Sequence, residues 1–277
     1  MTSDALQPVG EQSGSTGTGS FGSVSMTRMA AMSPTDAGTP EPTWLNWLSS
    51  HGPWTAVEFE VDRLVVLAAH PDDEVLGAGG MMADAARAGV EVVTVCLSDG
   101  SGSHPGSPTL TPEQLAVRRH AELDAATTIL GLDTPRWQGL PDGELAAHQQ
   151  QMTGIVESVL DEQPDAVTGL LSVWCHDGHP DHEAVGHCAQ ALADRRGIPL
   201  WMYPIWMWHW AYPGDPGIPW QQMRTHRLDD DVLAVKHAAV RSFESQIGPL
   251  SPAPEDQPVL GPHILSHLLR AQEFVFV

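Results

Sequence analysis

Basic residues are scarce in this sequence. Lys and Arg together number 13, against 35 Asp and Glu in 277 residues, and the formal net charge is -22 at pH 7. A protein that binds nucleic acid needs a basic surface to contact phosphates and release their counterions. The charge therefore excludes nucleic acid as a partner and favours neutral or cationic ligands.

Long apolar runs and cysteine pairs are also missing. No run approaches the roughly 18 to 20 residues that span a bilayer, and the start of the chain lacks the basic and apolar regions of a secretory signal. We therefore expect no transmembrane segment and a cytoplasmic location. The three cysteines (Cys96, Cys175 and Cys188) are odd in number and far apart, which predicts reduced thiols and no disulfide framework.

The chain divides into a tail and one domain. Residues 1–43 are rich in Gly, Ser, Thr, Pro and Met and show no apolar periodicity, so we expect disorder there. Hydrophobic residues make up 42% of the chain and charged residues 17%, which is enough for residues 44–277 to bury the core of a single domain.

Short apolar runs alternate with helical patterns along this domain. The runs at 64–69, 90–97, 166–174 and 199–205 lack the alternation of half-exposed strands, so they predict buried parallel strands. Helices are predicted at 81–88, 111–131, 145–162, 182–196 and 230–245. This order predicts an α/β fold, a Rossmann-like, doubly wound and mostly parallel sheet covered on both faces.

Two polar loops directly follow two of the predicted strands. Residues 70–74 read His-Pro-Asp-Asp-Glu, and residues 175–182 read Cys-His-Asp-Gly-His-Pro-Asp-His. His-Pro-Asp thus occurs twice, although a chain with 14 His and 23 Pro is expected to contain it less than once. Because doubly wound sheets bind ligands beyond the carboxyl ends of their strands, both loops are expected to meet in one site. The alternative is that each His-Pro-Asp is only a helix-capping turn.

Imidazoles combined with a carboxylate suit a divalent metal, above all Zn²⁺, and three protein ligands leave a coordination position open for catalysis. Adjacent Asp72 and Asp73 cannot both bind one ion without strain. One of them is therefore expected to bind the metal while the other accepts a proton from water. The reaction class that follows is metal-assisted hydrolysis.

At these residues the chain resembles the PIG-L/LmbE family of zinc-dependent N-acetylglucosaminyl deacetylases. The resemblance implies that His70, Asp73 and His182 bind one zinc ion per chain, with another divalent metal as the alternative. It also implies that Asp72 is the general base.

The resemblance assigns further roles in the same loops. It implies that His179 stabilises the oxyanion or protonates the leaving amine, and that Asp181 orients His179. The Leu-Pro-Asp-Gly at 140–143 and the Arg at 118, one helical turn before a Glu, match family positions that contact sugar hydroxyls. Arg118 and Asp142 are therefore expected to bind substrate, although the neighbouring Arg119 leaves the choice of arginine open.

Half of the ten tryptophans lie between positions 201 and 220. Trp206, Trp208 and Trp210 alternate and would share one face if this segment were extended. Three interpretations stay open: core packing, an apolar platform for a sugar face or bulky aglycone, and a dimer or membrane-surface contact. Under the second interpretation Trp206 and Trp208 bind substrate.

The favoured function is removal of an N-acetyl or N-acyl group from a small-molecule N-acetylglucosamine glycoconjugate, giving acetate and a free amino sugar. The substrate is expected to belong to antibiotic biosynthesis, similar to teicoplanin-type glycopeptides. One alternative is a mycothiol-type deacetylase acting on a GlcNAc-inositol. The other two are a non-hydrolytic nucleotide-binding Rossmann module and a catalytically idle metal- or sugar-binding protein. The Gly-Ala-Gly-Gly at 77–80 does not favour nucleotide binding, because the acidic residues just before it would repel phosphate.

Overall fold

The computed structural model describes residues 21–277, with side chains from residue 24 onward. Its centre is a seven-stranded sheet in the order β3-β2-β1-β4-β5-β7-β6. The first five strands in that order are parallel, while β7 runs antiparallel to both β5 and β6. The strands are β1 Arg63–Ala68, β2 Glu91–Ser98, β3 Arg136–Leu140, β4 Thr168–Val173, β5 Leu200–Tyr203, β6 Met223–Arg227 and β7 Gln272–Phe276.

Helices cover both faces of this sheet, which confirms the predicted fold class. α3, α4 and α8 pack together, and α5 packs against α6. The helices are α1 Phe21–Ala30, α2 Glu41–His51, α3 Asp73–Arg87, α4 Pro112–Leu130, α5 Gln149–Leu160, α6 Pro180–Arg196, α7 Met207–Trp210, α8 Asp230–Val240, α9 Glu244–Ile247 and α10 Pro262–Leu268. Three short 3-10 segments lie at Leu145–His148, Trp220–Gln222 and Pro254–Asp256. Among residues 21–277, no helix has both the length and the apolar character needed to cross a membrane.

The four predicted strands are present as β1, β2, β4 and β5, but β3, β6 and β7 were not predicted. β3 and β6 each carry polar residues and lie at an edge of the sheet, where most of their residues are partly buried or exposed. Their sequences therefore lack the continuous apolar run that marked the central strands.

The amino-terminal segment differs from the expected disorder where the structure describes it. α1 and the start of α2 fall within residues 21–43, while residues 1–20 lie outside the described part. Ser25 donates a 2.6 Å hydrogen bond to Glu183, and Arg28 forms an ion pair with Asp215. These partners lie far away in the sequence, so local periodicity gave no sign of them.

The glycines of α3 allow this helix to pack closely on its neighbours. A Cβ atom at Gly77 would lie 2.2 Å from Cδ2 of Tyr203, and one at Gly80 would lie 2.4 Å from Cδ2 of Leu228. Both distances are too short for a side chain. These positions are therefore packing contacts.

α3 is kinked just after its first turn, and a buried ion pair satisfies the break. Ala78 has non-helical backbone angles (φ -143°, ψ 15°). Lys236 donates to the carbonyl of Leu76 at 2.9 Å and lies 2.6 Å from Oε1 of Glu273. Glu273 in turn accepts hydrogen bonds from the backbone N–H groups of Gly80 and Met81. The pair thus replaces helical hydrogen bonds on both sides of the kink.

We expect Lys236→Met to lower the free energy of unfolding by about 3–5 kcal/mol, because it leaves the Glu273 carboxylate buried without its cation. Arg195→Gln is the control, since Arg195 makes an ion pair with Glu157 on the surface, where loss should cost at most about 1 kcal/mol. Urea denaturation of both variants measures the difference. Equal effects would contradict the structural role given to Lys236.

Candidate metal centre and active site

The two His-Pro-Asp loops meet because the strands before them are neighbours. β1 and β4 pair in parallel, so the loops that follow these two strands leave the sheet at the same edge. α3 begins in the first loop at Asp73, and α6 begins in the second at Pro180. Asp72 is the residue just before α3, but its side chain makes no capping hydrogen bond to that helix. The first loop is therefore more than a helix-capping turn.

The three side chains predicted to bind metal lie together. Nδ1 of His70 is 3.3 Å from Nε2 of His182 and 3.4 Å from Oδ2 of Asp73, and His182 Nε2 is 3.2 Å from Asp73 Oδ1. Zinc bonds of about 2.0–2.2 Å in a tetrahedral site place neighbouring ligand atoms about 3.3–3.5 Å apart. The observed spacings are close to these values, with Asp73 contacting each histidine through a different oxygen, and the three residues could hold such an ion. His70, His179 and His182 also offer ring nitrogens within 4.8 Å of one another, so His179 is a further candidate ligand.

Each imidazole of this cluster is fixed from behind by carboxylates. Nδ1 of His182 lies 2.8 Å from Oδ2 of Asp177, and Nε2 of His70 lies 3.1 Å from Asp142 and 3.3 Å from Asp181. A ring nitrogen that donates to a carboxylate leaves the other nitrogen free to bind a metal. The arrangement therefore directs His70 Nδ1 and His182 Nε2 towards the same point.

Asp181 contacts His179 through its backbone and not through its carboxylate. Its carboxylate contacts His70 and accepts hydrogen bonds from the backbone N–H groups of Gly143 and Leu145. What reaches the His179 ring is the backbone N–H of Asp181, at 3.2 Å from Nδ1. His179 is the residue just before α6, and its side chain accepts a hydrogen bond from a backbone N–H group of the first turn of that helix.

Asp177 is a site residue that the sequence analysis missed. Besides His182, its carboxylate accepts hydrogen bonds of 2.9 Å from the backbone N–H groups of Ile205, Trp206 and Met207. Asp177 therefore fixes the His182 ring and the segment after β5 together. Its position in the second histidine-rich loop, five residues before His182, was the available signal.

Charges in the cluster shift the affinity of its groups for protons. Burial alone would lower the pKa of His182, but Asp73 and Asp177 raise it to about 9. Burial would likewise lower the pKa of His70, yet hydrogen bonds to Asp142, Asp181 and Asp73 raise it well above its usual value. Both shifts show that the surrounding carboxylates favour positive charge at this point.

Asp72 lies beside the cluster and has a different electrostatic balance. Its Oδ2 is 3.1 Å from a guanidinium nitrogen of Arg119. Burial raises the pKa of Asp72 despite the attraction of Arg119, whereas His182 holds the pKa of Asp73 well below its usual value against burial. The two adjacent carboxylates thus differ in their affinity for a proton, which is higher at Asp72 than at Asp73.

Arg119, and not Arg118, faces the cavity. Arg119 is buried and also donates to the carbonyl of Gly100, while Arg118 is 38% exposed and forms ion pairs with Glu122 and Glu244. Adjacent residues on a helix point about 100° apart, so only one of the two arginines can face inward. The structure therefore places Arg119 in the cavity and Arg118 outside it, which decides the choice of arginine that the sequence had left open.

His179 lies between the metal cluster and the open cavity. Its ring centre is 4.8 Å from that of His70 and 4.9 Å from that of His182. Burial, together with the charges of His182 and His70, lowers the pKa of His179 to about 3, so its ring is neutral. Because Nδ1 accepts the backbone N–H of Asp181, the ring proton is on Nε2.

His179 lines a cavity of about 130 Å³, and Asp142 and Trp206 also line it, whereas His182 is fully buried behind it. Asp142 is therefore where a substrate contact requires it, although it also bonds to His70 and to the backbone N–H of Gly102. The other lining residues are His70, Asp72, Asp73, Leu76, Gly102, Ser103, Arg119, Ile205, Gln246, Val259 and Leu260.

Trp208 does not line this cavity, which corrects the prediction that it binds substrate. Residues 207–210 form the short helix α7, so Trp206, Trp208 and Trp210 do not share one face. Trp208 packs edge-on against Trp44, with ring centres 5.1 Å apart, and the guanidinium of Arg270 lies 4.2 Å from its ring centre. Its role is core packing.

Comparison with known proteins agrees with this geometry. Residues 65–193 match the model of the PIG-L family, GlcNAc-PI de-N-acetylase. A diacetylchitobiose deacetylase of Thermococcus kodakarensis is 29% identical over 200 residues, covering 68% of this chain and 71% of that protein. A 1D-myo-inositol 2-acetamido-2-deoxy-alpha-D-glucopyranoside deacetylase of Mycobacterium sp. strain KMS is 30% identical over 170 residues, covering 53% of this chain and 54% of that protein.

Among solved structures, the A40926 pseudoaglycone deacetylase Dbv21 superimposes with a TM-score of 0.53 at 26% identity. The match covers 71% of this chain and 87% of that one. The resemblance to the PIG-L family is thereby confirmed, and these relatives are deacetylases. The chain spans only about half the length of the mycobacterial relative.

We expect Asp177→Asn to weaken zinc binding by about 10 to 100-fold, because His182 loses the carboxylate that orients its ring. Competition with a chromophoric chelator measures the zinc affinity. Asp161→Asn is the matched control, since Asp161 pairs with Arg196 on the surface. A zinc affinity of Asp177→Asn equal to that of the control would contradict the assignment.

Proposed function

We propose that this protein is a metal-dependent hydrolase that removes the N-acetyl group from an N-acetylglucosamine glycoconjugate, releasing acetate and a free amino sugar. The observation that carries the proposal is the meeting of His70, Asp73 and His182 at metal-ligand spacings, beside a separate carboxylate, Asp72, in an open cavity. The match to a family of de-N-acetylases supports the same reaction.

His70, Asp73 and His182 would hold one divalent ion, with zinc the expected metal and another divalent ion the alternative. When bound, such an ion polarises a carbonyl group and lowers the pKa of a water molecule. The chain supplies three ligands for it, and the cavity leaves room on the substrate side.

Asp72 is the general base in this proposal. It is a cavity carboxylate whose pKa is raised, whereas the pKa values of Asp73 and Asp142 are lowered. A carboxylate with a raised pKa accepts a proton more readily. Arg119 binds Oδ2 of Asp72, which leaves Oδ1 to take the proton from water.

His179 acts on the acyl group. Its neutral ring presents an Nε2–H donor to the cavity, and the backbone N–H of Asp181 fixes the ring through Nδ1. A donor held in advance where negative charge develops on the carbonyl oxygen stabilises the transition state. A neutral imidazole cannot give up its only ring proton to an amine, so the proton that Asp72 takes from water is the one that the leaving amine receives.

Trp206, Leu76 and Ile205 form an apolar wall beside these polar groups. Such a wall suits the apolar face of a sugar ring or a bulky aglycone. The likeness to the A40926 pseudoaglycone deacetylase favours a glycopeptide antibiotic of the teicoplanin type as the substrate. The relative that acts on a glucosaminyl inositol makes a mycothiol-type substrate the second candidate.

The nucleotide-binding alternative receives no support from the cavity. Asp72, Asp73 and Asp142 line it and would repel phosphate, and Gly77 and Gly80 are used for packing against Tyr203 and Leu228. Measurement of acetate release distinguishes a catalytically idle binding protein from a hydrolase. The cytoplasmic location stays a prediction.

Acetate release tests the proposed reaction. We expect the full-length protein to release acetate from an N-acetylglucosamine-bearing glycopeptide, to lose this activity in a chelator, and to recover it when zinc is restored. A GlcNAc-inositol assayed in parallel separates the two substrate classes. Stoichiometric metal binding without acetate release from either compound would identify an idle binding protein.

We expect Asp72→Asn to keep its metal and lose about 10²–10⁴-fold in kcat, because the amide cannot accept a proton from water. Metal analysis and the acetate assay on the same sample measure both properties. Asp133→Asn, the same change at an exposed position, should behave like the wild type. Normal turnover by Asp72→Asn would show that another residue is the base.

A further inference from the structure

Gln246 lines the cavity from a part of the chain beyond the residues that match the family model, as do Ile205, Trp206, Val259 and Leu260. Gln246 lies in the short helix α9, is 1% exposed and lines the cavity with Arg119 and Asp142. None of the roles described above uses it. A buried amide at the wall of a substrate cavity needs partners for both its donor and its acceptor ends.

Hydrogen bonds from α4 fix the position of α9. Glu122 accepts one bond from the backbone N–H of Ser245 at 2.8 Å and another from its hydroxyl at 2.7 Å. Glu122 lies on the same helix as Arg119, three residues further on. The two helices therefore bring Arg119 and Gln246 into one cavity wall at a fixed separation.

The same bonds determine which end of the amide faces the cavity. A carboxylate only accepts hydrogen bonds, so the Ser245 hydroxyl must donate to Glu122. Its oxygen is then an acceptor for Nε2 of Gln246, at 2.9 Å. Nε2 also donates to the hydroxyl of Ser103, at 3.2 Å, so both amide protons are used.

The oxygen Oε1 is left as the polar atom that Gln246 offers to the cavity. Within residues 21–277 no group donates a hydrogen bond to it. Its missing partner must be a donor, and the sugar of the proposed substrate presents donors as ring hydroxyls. We propose that Gln246 is a specificity-determining residue that accepts a hydrogen bond from a hydroxyl of the glucosamine unit, with Glu122 and Ser245 as its positioning residues.

This inference rests on the proposed function for the identity of the sugar. Because the hydroxyl is remote from the amide that is cleaved, its bond to Gln246 should form equally in the ground and transition states. Loss of the bond should therefore raise KM by about 10-fold and leave kcat within about twofold. A merely structural role would instead lower kcat or thermal stability.

The test combines Gln246→Leu with 3-deoxy, 4-deoxy and 6-deoxy analogues of an N-acetylglucosamine glycoside. We expect one analogue to lose about 10-fold in kcat/KM with the wild type and to lose nothing further with Gln246→Leu. Gln150→Leu, the same change on the exposed face of α5, should discriminate among the analogues as the wild type does. Equal discrimination by Gln246→Leu and the wild type at all three positions overturns the proposal.

Binding provides a second measurement that does not need turnover. Calorimetry with the corresponding deoxy amino sugars gives the same comparison of wild type and Gln246→Leu. If the wild type releases no acetate, the proposed function fails, while coupling between Gln246 and one hydroxyl in binding still supports hydroxyl recognition. Binding without such coupling, or no binding of any amino sugar, overturns it.

Discussion

A concentration of buried negative charge at one edge of the sheet governs this structure. Asp72, Asp73, Asp142, Asp177 and Asp181 are clustered there, and the one guanidinium that contacts them directly, among the described residues, is that of Arg119. Buried charges must be paired, so the cluster requires further positive charge. The raised pKa values of His70 and His182 show that the carboxylates stabilise positive charge there. A bound divalent cation would supply such charge.

The scaffold holds this charge by dividing α3 into two parts. The first turn carries Asp73 into the cluster, while Gly77 and Gly80, on either side of the kink, allow the helix to approach Tyr203 and Leu228 closely. The kink between the two parts is stabilised by Lys236 and Glu273, which come from α8 and β7. Residues beyond the family-matched region therefore support residues within it, as they also do at Gln246.

Features that depend on the order of strands and loops could be predicted from the sequence. Features that depend on the direction in which a side chain points could not. The meeting of His70, Asp73 and His182 follows from two loops after neighbouring parallel strands, and it was predicted. The inward direction of Arg119 depends on the rotation of α4, which a weakly amphipathic pattern does not determine. The core position of Trp208 depends on a local helix, whereas the shared face considered for the tryptophans required an extended segment. Docking of α1 depends on partners more than 150 residues away.

Asp177 joins the chemical and the apolar sides of the cavity. One of its oxygens bonds to His182 and to the backbone of Trp206, and the other to the backbones of Ile205 and Met207. The orientation of the His182 ring and the position of the apolar wall thus both depend on the carboxylate of Asp177. In the proposed function, a sugar on that wall would be held at a set distance from His182, because neither side can shift without breaking the bonds of Asp177.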